Sequence, residues 1–548
     1  MSSIRLTQNY FVIIFVLLLY SCAQVVSPTG GPKDVVPPKL IKATPESKSL
    51  HFSAKSIVLE FNEYITLRDV QGQLTVSPPL KYPPIVKEKN KSIKIELKDT
   101  LMENTTYSFN FGKAIVDLTE ANVLEDFRYI FSTGSFLDSS YVFGRVDYAE
   151  NHKTEKGIII MLYDEKKYTS DSFSYKQIPS YFGKTNGSGG FQINNIKQGK
   201  YKVIALKDAN NNYVYDAPDE FIGFSDSIYS LDSNAYISLS QFQQINHKFF
   251  VKKANSVQYG EIRIEFNKPA GDLKIEALNA QFKKAWYIEE YSKNRDSLSL
   301  WLTDVIGDTL KLIVTNDKKV IDTLEVAIAK KPEQNNTQSG GRGKAASFNL
   351  IASTNCAKEI PPNQSVILTL NHPIKEYDAS KIILKQGSQM QKCTLDIMDK
   401  ASRKFKITGF NLLPDSAYSL LVTPGSFIDI FGLKNDTVKA AFKVQKEDDF
   451  GKLKLKINVA SKNVNYIVQL LDEKGNIFRE EKINASKLCV FETLKPLTYS
   501  VKVIVDENKN DKWDTGDFSK KLQPEKTMYS PKNYSIRAGW DMEEEWSL

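Results

Sequence analysis

The sequence predicts an all-β protein that consists of several small β-sandwich domains in tandem. Tyr and Phe are frequent, with 26 and 30 copies, and aromatic residues favour strands over helices. Short segments alternate apolar and polar residues between turn residues about ten positions apart, and helical periodicity is missing. With 548 residues the chain is too long for one core, and about 100 to 150 residues per domain predicts four or five domains.

One strand-like segment occurs three times and supports this division. Each copy alternates apolar and polar residues and ends at an Asn before a turn. The copies are IVLEFNEYI (57–65), IRIEFNKP (262–269) and VILTLNHPI (366–374). In the first copy Leu59 and Phe61 fall on one face, as expected of a strand that packs on one side only. Three copies predict three related domains.

The first and third copies also share a longer stretch. LMENTTYSFNFGKAIVD (101–117) is echoed by LLPDSAYSLLVTPGSFID (412–429), where a Tyr-initiated strand and a turn end at an Asp. Short strands with such turns favour an immunoglobulin-like sandwich. The segments TTYSFNFG and FSTG (131–134) resemble the bacterial Ig-like domain of S-layer and Bacteroidota envelope proteins. The resemblance implies three Ig-like domains, at 39–135, 250–330 and 348–445.

A second repeat lies between the copies of the first. FQINNIKQGKYKVIALKD (191–208) and FETLKPLTYSVKVIVD (491–506) share the spacing from an aliphatic residue through a Tyr to an Asp. Both resemble the transthyretin-like β-domains of envelope proteins. The resemblance implies two transthyretin-like sandwiches, at 138–245 and 450–548. Residues 331–347 are rich in Gln, Asn, Ser and Gly, which predicts a flexible linker that divides the chain into two arms.

Each repeat of the second kind ends in a loop with regularly spaced oxygen-bearing side chains. Counted from the first Asp, these are at positions one, three, five, nine and twelve, and position seven would offer a backbone carbonyl. The residues are Asp506, Asn508, Asn510, Lys512, Asp514 and Asp517 in the second loop, and Asp208, Asn210, Asn212, Val214, Asp216 and Asp219 in the first. This is the spacing of a calcium loop, and three carboxylates predict a weak structural site with a dissociation constant of about 0.1 to 1 mM.

The residue types leave the calcium sites open to a second interpretation. Position six of such a loop is usually Gly, because the backbone there needs positive φ, yet it holds Tyr213 in the first loop and Asp511 in the second. Asp adopts the left-handed region more easily than Tyr, so the second loop is the better candidate. In the alternative, the Asp and Asn residues only cap the turns of a polar hairpin.

The N-terminus predicts export and lipid attachment. The apolar run FVIIFVLLLY (11–20) is too short to span a bilayer but is typical of a signal peptide. LYSC (19–22) resembles the bacterial lipoprotein cleavage box, which implies that residues 1–21 are removed and that Cys22 carries the lipid. Residues 22–38, rich in Pro and Gly, would then form a tether. A plain secretory signal is the alternative.

Two further patterns in the sequence each allow two interpretations. Cys356 and Cys393 fall in one predicted domain of an exported chain, where they form either a disulfide or two buried thiols. Dipeptides such as Asp99-Thr100 precede aliphatic residues at several places and resemble the O-glycosylation sequon of Bacteroidota. The same dipeptides are common turn starters before strands.

Patterns of known catalytic sites are missing from the sequence. The four His residues are scattered over different predicted domains, outside any zinc or nucleophile pattern. The net charge of +8 is modest, and alternating Lys and acidic residues predict a solvated surface and not a nucleic-acid stripe. We therefore expect no enzyme, no nucleic-acid partner and no small-molecule substrate. A glycoside hydrolase stays as an alternative, because its carboxylate pair forms across a fold and not along the sequence.

The domain order, the LYSC segment and SPTGGPKD (27–34) resemble a Bacteroidota outer-membrane lipoprotein of the Ig-like domain family. This resemblance implies a scaffold or protein-binding subunit of an envelope complex, beside barrel-assembly or transport machinery. The partners would be the outer membrane, through the lipid on Cys22, and other envelope proteins. A cell-surface adhesin or glycan-binding module is the alternative. The sequence does not decide between the periplasmic and the outer face of the membrane.

Overall fold

A computed structural model describes residues 33–170, 172–217, 219–245, 248–282, 285–304, 307–316, 319–332, 348–461 and 463–548. Within these ranges the chain has 43 strands, two four-residue α-helices and three short 3-10 helices, so the predicted all-β fold is confirmed. Cys22, the signal segment and most of the tether and linker lie outside the described residues. None of the described helices is long and apolar enough to cross a membrane.

Among the described residues, the strands pack around five hydrophobic cores, each of which defines one domain, and we number these domains first to fifth along the chain. A sixth buried cluster covers the outer face of the second domain's sheet. The buried residues of these cores fall between 43 and 131, 142 and 239, 262 and 328, 350 and 444, and 453 and 536.

The first domain is a sandwich of a four-stranded and a three-stranded sheet with a two-stranded ribbon. Its elements are β1 (Leu40–Thr44), β2 (Ser56–Phe61), β3 (Ile65–Leu67), α1 (Val70–Gln73), β4 (Thr75–Ser77), β5 (Ile85–Lys89), β6 (Ser92–Glu96), β7 (Thr106–Asn110), β8 (Ile115–Asp117) and β9 (Arg128–Ser132). The sheet orders are β1-β2-β6-β5, β4-β7-β9 and β3-β8. In β2, Ile57, Leu59 and Phe61 are buried and alternate with half-buried residues, as predicted for a one-sided strand.

The second domain is built on one eight-stranded sheet. Its elements are β10 (Ser140–Tyr148), β11 (Ile159–Asp164), α2 (Phe173–Lys176), β12 (Tyr181–Lys184), β13 (Gly190–Ile196), β14 (Gly199–Lys207), β15 (Phe221–Phe224), β16 (Tyr229–Leu231) and β17 (Asn234–Gln243). The order is β12-β11-β14-β15-β17-β10-β13, with β16 beside β14, and β10 runs parallel to β17. Five consecutive residues of β11 are buried, so both faces of this strand are covered.

The third domain has a four-stranded sheet, β18-β19-β22-β21, and a three-stranded sheet, β20-β23-β24. The strands are β18 (Val251–Gln258), β19 (Glu261–Phe266), β20 (Leu273–Ala277), β21 (Tyr287–Tyr291), β22 (Ser297–Leu302), β23 (Thr309–Asn316) and β24 (Lys319–Ala327). Ile264 and Phe266 of β19 are buried, as predicted from the repeat.

The fourth domain repeats the arrangement of the first. Its strands are β25 (Ala352–Thr354), β26 (Glu359–Ile360), β27 (Ile367–Leu370), β28 (Ile374–Tyr377), β29 (Ile382–Gln386), β30 (Gln389–Gln391), β31 (Thr394–Ile397), β32 (Lys404–Thr408), β33 (Ala417–Val422), β34 (Phe427–Asp429) and β35 (Val438–Val444), with 3-10 helices at Ala379–Lys381 and Glu447–Asp449. The sheet orders are β25-β27-β32-β31, β26-β35-β33-β29-β30 and β28-β34. Cys356 and Cys393 are separate thiols, and both pack partly buried against this core.

The fifth domain repeats the topology of the second. Its strands are β36 (Gly451–Asn458), β37 (Asn465–Leu471), β38 (Ile477–Ile483), β39 (Lys487–Leu494), β40 (Thr498–Asp506), β41 (Thr527–Tyr529), β42 (Tyr534–Ser535) and β43 (Asp541–Ser547), with a 3-10 helix at Phe518–Lys520. The orders are β39-β36-β43 and β38-β37-β40-β41, with β42 beside β40. Here too the first strand, β36, runs parallel to the last, β43.

The two arms that the linker was expected to separate are in contact. Glu290 of the third domain accepts hydrogen bonds from Trp301 Nε1, at 2.8 Å, and from Arg403 Nη1 of the fourth domain, at 2.7 Å. Phe348 and Phe431 of the fourth domain pack around Tyr259 of the third. Phe348 is buried and Tyr259 and Phe431 are half-buried here, and all three would be more exposed in separate arms, so this packing favours the contact.

Candidate metal loops at a domain interface

The first Asp/Asn loop follows β14 and wraps around its leading carboxylate. Asp208 accepts the backbone N–H groups of Asn211, at 2.6 Å, and Tyr213, at 2.8 Å. The side-chain amides of Asn210 and Asn212 both donate to Asp216, at 3.0 and 2.9 Å. Positions one, three, five and nine of the predicted site therefore converge within one turn.

The second loop, after β40, has the same geometry. Asp506 is completely buried and accepts the N–H groups of Asn510, at 3.0 Å, and Asp511, at 2.9 Å. The amides of Asn508 and Asn510 both donate to one carboxylate oxygen of Asp514, the former at 2.6 Å.

The amides at positions three and five could also turn their oxygens toward a cation. The orientation of such an amide follows from its hydrogen-bond partners, and its oxygen and nitrogen exchange places when the group rotates by half a turn. Two amides that converge on one carboxylate thus provide the hard oxygen ligands that calcium prefers. Both loops thus offer enough oxygen atoms for the ion, provided that the amide oxygens give up the backbone N–H groups that they accept here.

The backbone at position six is left-handed in both loops. Tyr213 has φ of 62° and Asp511 has φ of 66°, and both loops are also left-handed at position four. The Tyr213 ring packs on Phe182 with a centroid separation of 4.8 Å, and this packing offsets the cost of a bulky residue with positive φ. The conformation at position six therefore does not set the first loop apart from the second.

The residues at position twelve lie apart from this cluster of oxygens. Asp219 is exposed on the loop surface. Asp517 caps the 3-10 helix that follows, because it accepts the N–H of Lys520, at 3.3 Å, and the hydroxyl of Ser519, at 2.6 Å. Val214 and Lys512, at position seven, lie on the loops with their N–H groups bonded to Asn212 and Asn510.

Two acids that the spacing in the sequence did not predict, Glu220 and Glu525, bond to the backbone of the two loops, where the residues at position twelve do not. Glu220 is completely buried and accepts the N–H groups of Ala209, at 3.2 Å, and Asp216, at 2.9 Å. Glu525 accepts those of Glu507, at 2.9 Å, and Asp514, at 3.0 Å. In the sequence, a Pro precedes each of these Glu residues by one or two positions. The two Glu residues nevertheless lie at different distances from the first Asp of their loops, so counting a fixed number of positions from that Asp does not find both of them.

The second loop concentrates negative charge. Burial raises the pKa of Glu525, and the charges of Asp514 and Asp506 raise it further. Burial opposes ionisation of Asp514, but hydrogen bonds from Asn508 and Asn510 and the nearby Lys512 hold its pKa below the usual range. Among the described residues no group of three or more His, Cys, Asp and Glu side chains forms a metal site, so an ion here would need the amide and backbone oxygens too.

The far side of the second loop docks on the second domain. The Thr515 hydroxyl donates to the carbonyl of Gln243, at 2.8 Å, and the N–H of Phe518 donates to the side chain of Gln244, at 3.1 Å. A Cβ added at Gly516 would lie 2.5 Å from the Phe242 ring, so the backbone of the second loop packs directly against that ring. The loop is therefore part of an interface as well as a candidate metal site.

Aromatic side chains from both loops share one apolar cluster. The outer face of the second domain's sheet presents Ile159, Met161 and Tyr163, and this face is covered by side chains that include Tyr213, Tyr215, Trp513 and Phe518. Phe518 packs on Tyr215 and Phe224, with centroid separations of 6.0 and 5.2 Å. Residues of the first loop are thus part of the apolar surface of the second domain that the second loop contacts.

Polar contacts extend the interface beyond the loops. The Thr527 hydroxyl donates to the carbonyl of Ala149, at 2.7 Å, and His152 Nε2 lies 3.0 Å from the carbonyl of Thr527. Gln523 donates to the carbonyl of Phe224, at 3.1 Å. The contact between the second and fifth domains therefore combines an apolar centre with hydrogen bonds at its rim.

Comparison with known proteins identifies one domain. Residues 34–133 match a family described as the bacterial Ig-like domain, which confirms the resemblance found for the first domain. No curated protein matches the chain.

Several solved structures are similar at low identity. The Bacillus anthracis TIE protein is 10% identical, with 95% of this chain and 76% of that chain covered and a TM-score of 0.14. The S-layer protein rSbsC is 12% identical, with 91% and 67% covered and a TM-score of 0.17. The major pilin subunit BcpA of Bacillus cereus is 9% identical, with 75% and 99% covered and a TM-score of 0.14. Likeness at this level carries no argument about function.

Proposed function

We propose that this chain is a non-enzymatic scaffold of the bacterial cell envelope whose arrangement of domains is stabilised by calcium. The observation that carries the proposal is the position of the two Asp/Asn loops. Both lie at the contact between the second and fifth domains, and their aromatic neighbours form its apolar centre. An ion that orders the loops would therefore stabilise the contact as well as each domain.

Calcium would stabilise the fold by linkage, because it binds the folded chain in preference to the unfolded chain. Calcium would bind the folded loop through Asp506, Asn508, Asn510, the carbonyl of Lys512 and Asp514, and would not bind the unfolded chain comparably. Glu525 is the nearby acid in place of Asp517. At about 10 mM calcium and a dissociation constant of about 0.1 to 1 mM, binding adds about 1.4 to 2.7 kcal/mol to the free energy of unfolding. The corresponding residues of the first loop are Asp208, Asn210, Asn212, Val214 and Asp216, with Glu220 in place of Asp219.

The membrane attachment in this proposal is a lipid on Cys22. A chain with the lipoprotein-like LYSC segment would be exported and anchored to the outer membrane, as in the Bacteroidota lipoproteins that it resembles. The second and fifth domains share one topology, in which the first and last strands run parallel, and we assign both as copies of one transthyretin-like domain. The contact between these domains would present the scaffold's surfaces in one arrangement to envelope proteins.

Purification from detergent-solubilised membranes tests the scaffold function. We expect the full chain to fractionate with the outer membrane and to co-purify with a stoichiometric barrel or transport protein, while Cys22→Ser is released to the soluble fraction. A full chain that purifies alone, in high yield and without an envelope partner, would contradict the scaffold function. Mass spectrometry of the same sample reports the lipid and any glycan on the Asp-Ser/Thr sequences.

A glycan-binding function is the second candidate, favoured by one surface. Tyr141, Phe143 and Tyr236 are exposed or half-buried on adjacent strands of the second domain, with Phe143 5.5 Å from Tyr236 between ring centroids. Gln192 lies opposite Phe143 on the next strand, so an amide borders the rings. Rings beside amides suit the stacking and hydrogen bonding of a sugar. Binding on a glycan array that is lost in Tyr236→Ala would support this candidate over the scaffold.

A further inference from the structure

A cavity of about 960 Å³ lies over the outer face of the fifth domain's sheet. Its floor is formed by β37, β38 and β40, which carry Gln469, Glu480 and Lys502. One wall is the 150–153 segment of the second domain, and another is the Lys293-Asn294 turn of the third domain. The volume lies within the range of small-molecule sites, about 300 to 1,000 Å³.

Lys502 occupies the centre of this floor. Its side chain is only 7% exposed, and no described residue gives its ammonium group a hydrogen bond or ion pair. Its strand neighbours across the sheet are Gln469 and Tyr529. Burial lowers the pKa of Lys502, and the charge of Glu150 partly opposes this shift. A buried ammonium without a partner is costly, and such a group is retained where it meets an anion.

The charged side chains that line the cavity are balanced in number: five lysines, of which Lys512 pairs with Asp514, and five acids, Glu150, Asp472, Glu473, Glu480 and Asp511. Lys153, Lys293 and Lys474 line it, and their ammonium groups have no partner within the described part of the chain. Two carboxylates of the cavity already have side-chain partners. Glu480 accepts a hydrogen bond from the Gln469 amide, at 2.9 Å, and Asp511 forms an ion pair with Lys482, at 3.1 Å.

Asp472 has partners as well, and Glu150 and Glu473 remain as nearby acids. The Asp472 carboxylate accepts the N–H groups of Lys474 and Asn476 within its own turn, at 2.9 and 2.8 Å. What sets Lys502 apart from the other lysines of the cavity is burial, because Lys153, Lys293, Lys474 and Lys512 are exposed to solvent.

We propose that this cavity binds a small polar ligand with one carboxylate or phosphate group, which Lys502 Nζ holds as its direct partner. The aromatic rings of Trp513 and Tyr529 and the amide of Asn533 also line the cavity and suit the body of a hydroxylated ligand such as a sugar acid or sugar phosphate. Trp513 belongs to the second loop, but the direct partner of the anion is Lys502 on β40, so the site requires none of the proposed calcium ligands.

Calorimetry with the full chain tests the site with three probes: inorganic phosphate, D-glucuronate and uncharged D-glucose. We expect phosphate or glucuronate to bind at least tenfold more tightly than glucose. Lys502→Met, which keeps the aliphatic stem, should weaken the anion at least tenfold. The matched control is Lys495→Met, at an exposed Lys in the same domain, and it should leave binding unchanged. Binding of only one anion would support the site and identify its group.

Two results would overturn the proposal. One is the absence of binding by both anions, and the other is equal binding by the wild type and Lys502→Met. Thermal unfolding gives a second measurement that needs no ligand. Because the Met side chain removes an unpaired buried charge, Lys502→Met should unfold at a higher temperature than the wild type without anion. A lower unfolding temperature would show that Lys502 serves the fold and would contradict a binding role.

Discussion

Two aspartates of the fifth domain make similar hydrogen bonds but belong to different kinds of loop. Asp506 and Asp472 each accept backbone N–H groups two to five residues further on. Asp506 also has the convergent amides and Asp514 beside it, whereas Asp472 caps a short hairpin turn. We expect Asp506→Ala to reduce, and Asp506→Ala combined with Asp208→Ala to abolish, the rise of several degrees that about 10 mM calcium gives to the unfolding temperature, measured by calorimetry of the full chain.

Asp472→Ala is the matched control for this substitution. It should lower the unfolding temperature, because it removes a turn cap, but it should keep the full response to calcium. If Asp506→Ala retained a calcium response as large as that of the wild type, or if the wild type had none, the second loop would be an ordinary capped turn.

Asp117 of the first domain gives a prediction for acid stability. Burial opposes its ionisation, but the N–H groups of Glu120, Asn122 and Ala121 outweigh burial and hold its pKa below the ordinary 3.8. A lowered pKa stabilises the fold above the ordinary value, and this contribution is lost as the pH falls through the lowered pKa.

The substitution Asp117→Asn should therefore destabilise the first domain at neutral pH by about 1 to 3 kcal/mol. It should also flatten the loss of stability at pH values below 3.8. Hydrogen exchange of peptides from residues 106–134 measures both effects within the full chain. An unchanged exchange rate at neutral pH would show that the three N–H groups find other partners.

At the scale of elements, one glycine decides whether the second loop can dock. Gly516 faces the Phe242 ring, and a Cβ would lie 2.5 Å from it. We expect Gly516→Val to separate the fifth domain from the second while the loop still binds calcium, since Gly516 is outside the predicted ligands. Limited proteolysis should then cut the 513–526 segment faster than in the wild type.

Gly187→Val is the control, because a Cβ at Gly187 would have no neighbour within 4 Å. It should leave the cleavage rate unchanged. Equal cleavage in Gly516→Val and the wild type would mean that the loop does not depend on Phe242 for its position.

Strand patterns made much of the fold predictable. The alternation in the repeat at 57–65 placed Leu59 and Phe61 on a buried face, where the structure has them. The spacing of the Asp and Asn residues likewise predicted that the side chains at positions one, three, five and nine of each loop lie close together, and they do in the structure. Alternation and spacing are local properties, so a sequence displays them directly.

Contacts between distant segments were not predictable in this way. The run of apolar residues in β11 indicates a strand buried on both faces, but it does not say that Trp513 and Phe518 help to cover the second face. Glu220 and Glu525 were missed because their loops differ in length. The positive φ of Tyr213 was unexpected because the packing of its ring on Phe182 is a tertiary effect.

At the scale of the whole molecule, the contact between the second and fifth domains joins residues that are 272 and 274 positions apart in the sequence. Closing so long a loop of chain costs entropy, so the contact needs several stabilising features at once. The apolar cluster, the rim hydrogen bonds and the proposed ions are these features. The proposal that calcium holds the two domains together is thus the central claim.

The most direct test measures the distance between the two domains with and without calcium. Spin labels at Lys166→Cys and Lys495→Cys, both exposed positions, report it by pulsed electron double resonance in a chain without its native cysteines. We predict one narrow distance distribution in calcium, which becomes broad and longer after chelation and is broad in Gly516→Val even with calcium. A distribution that stays equally narrow after chelation would contradict the claim.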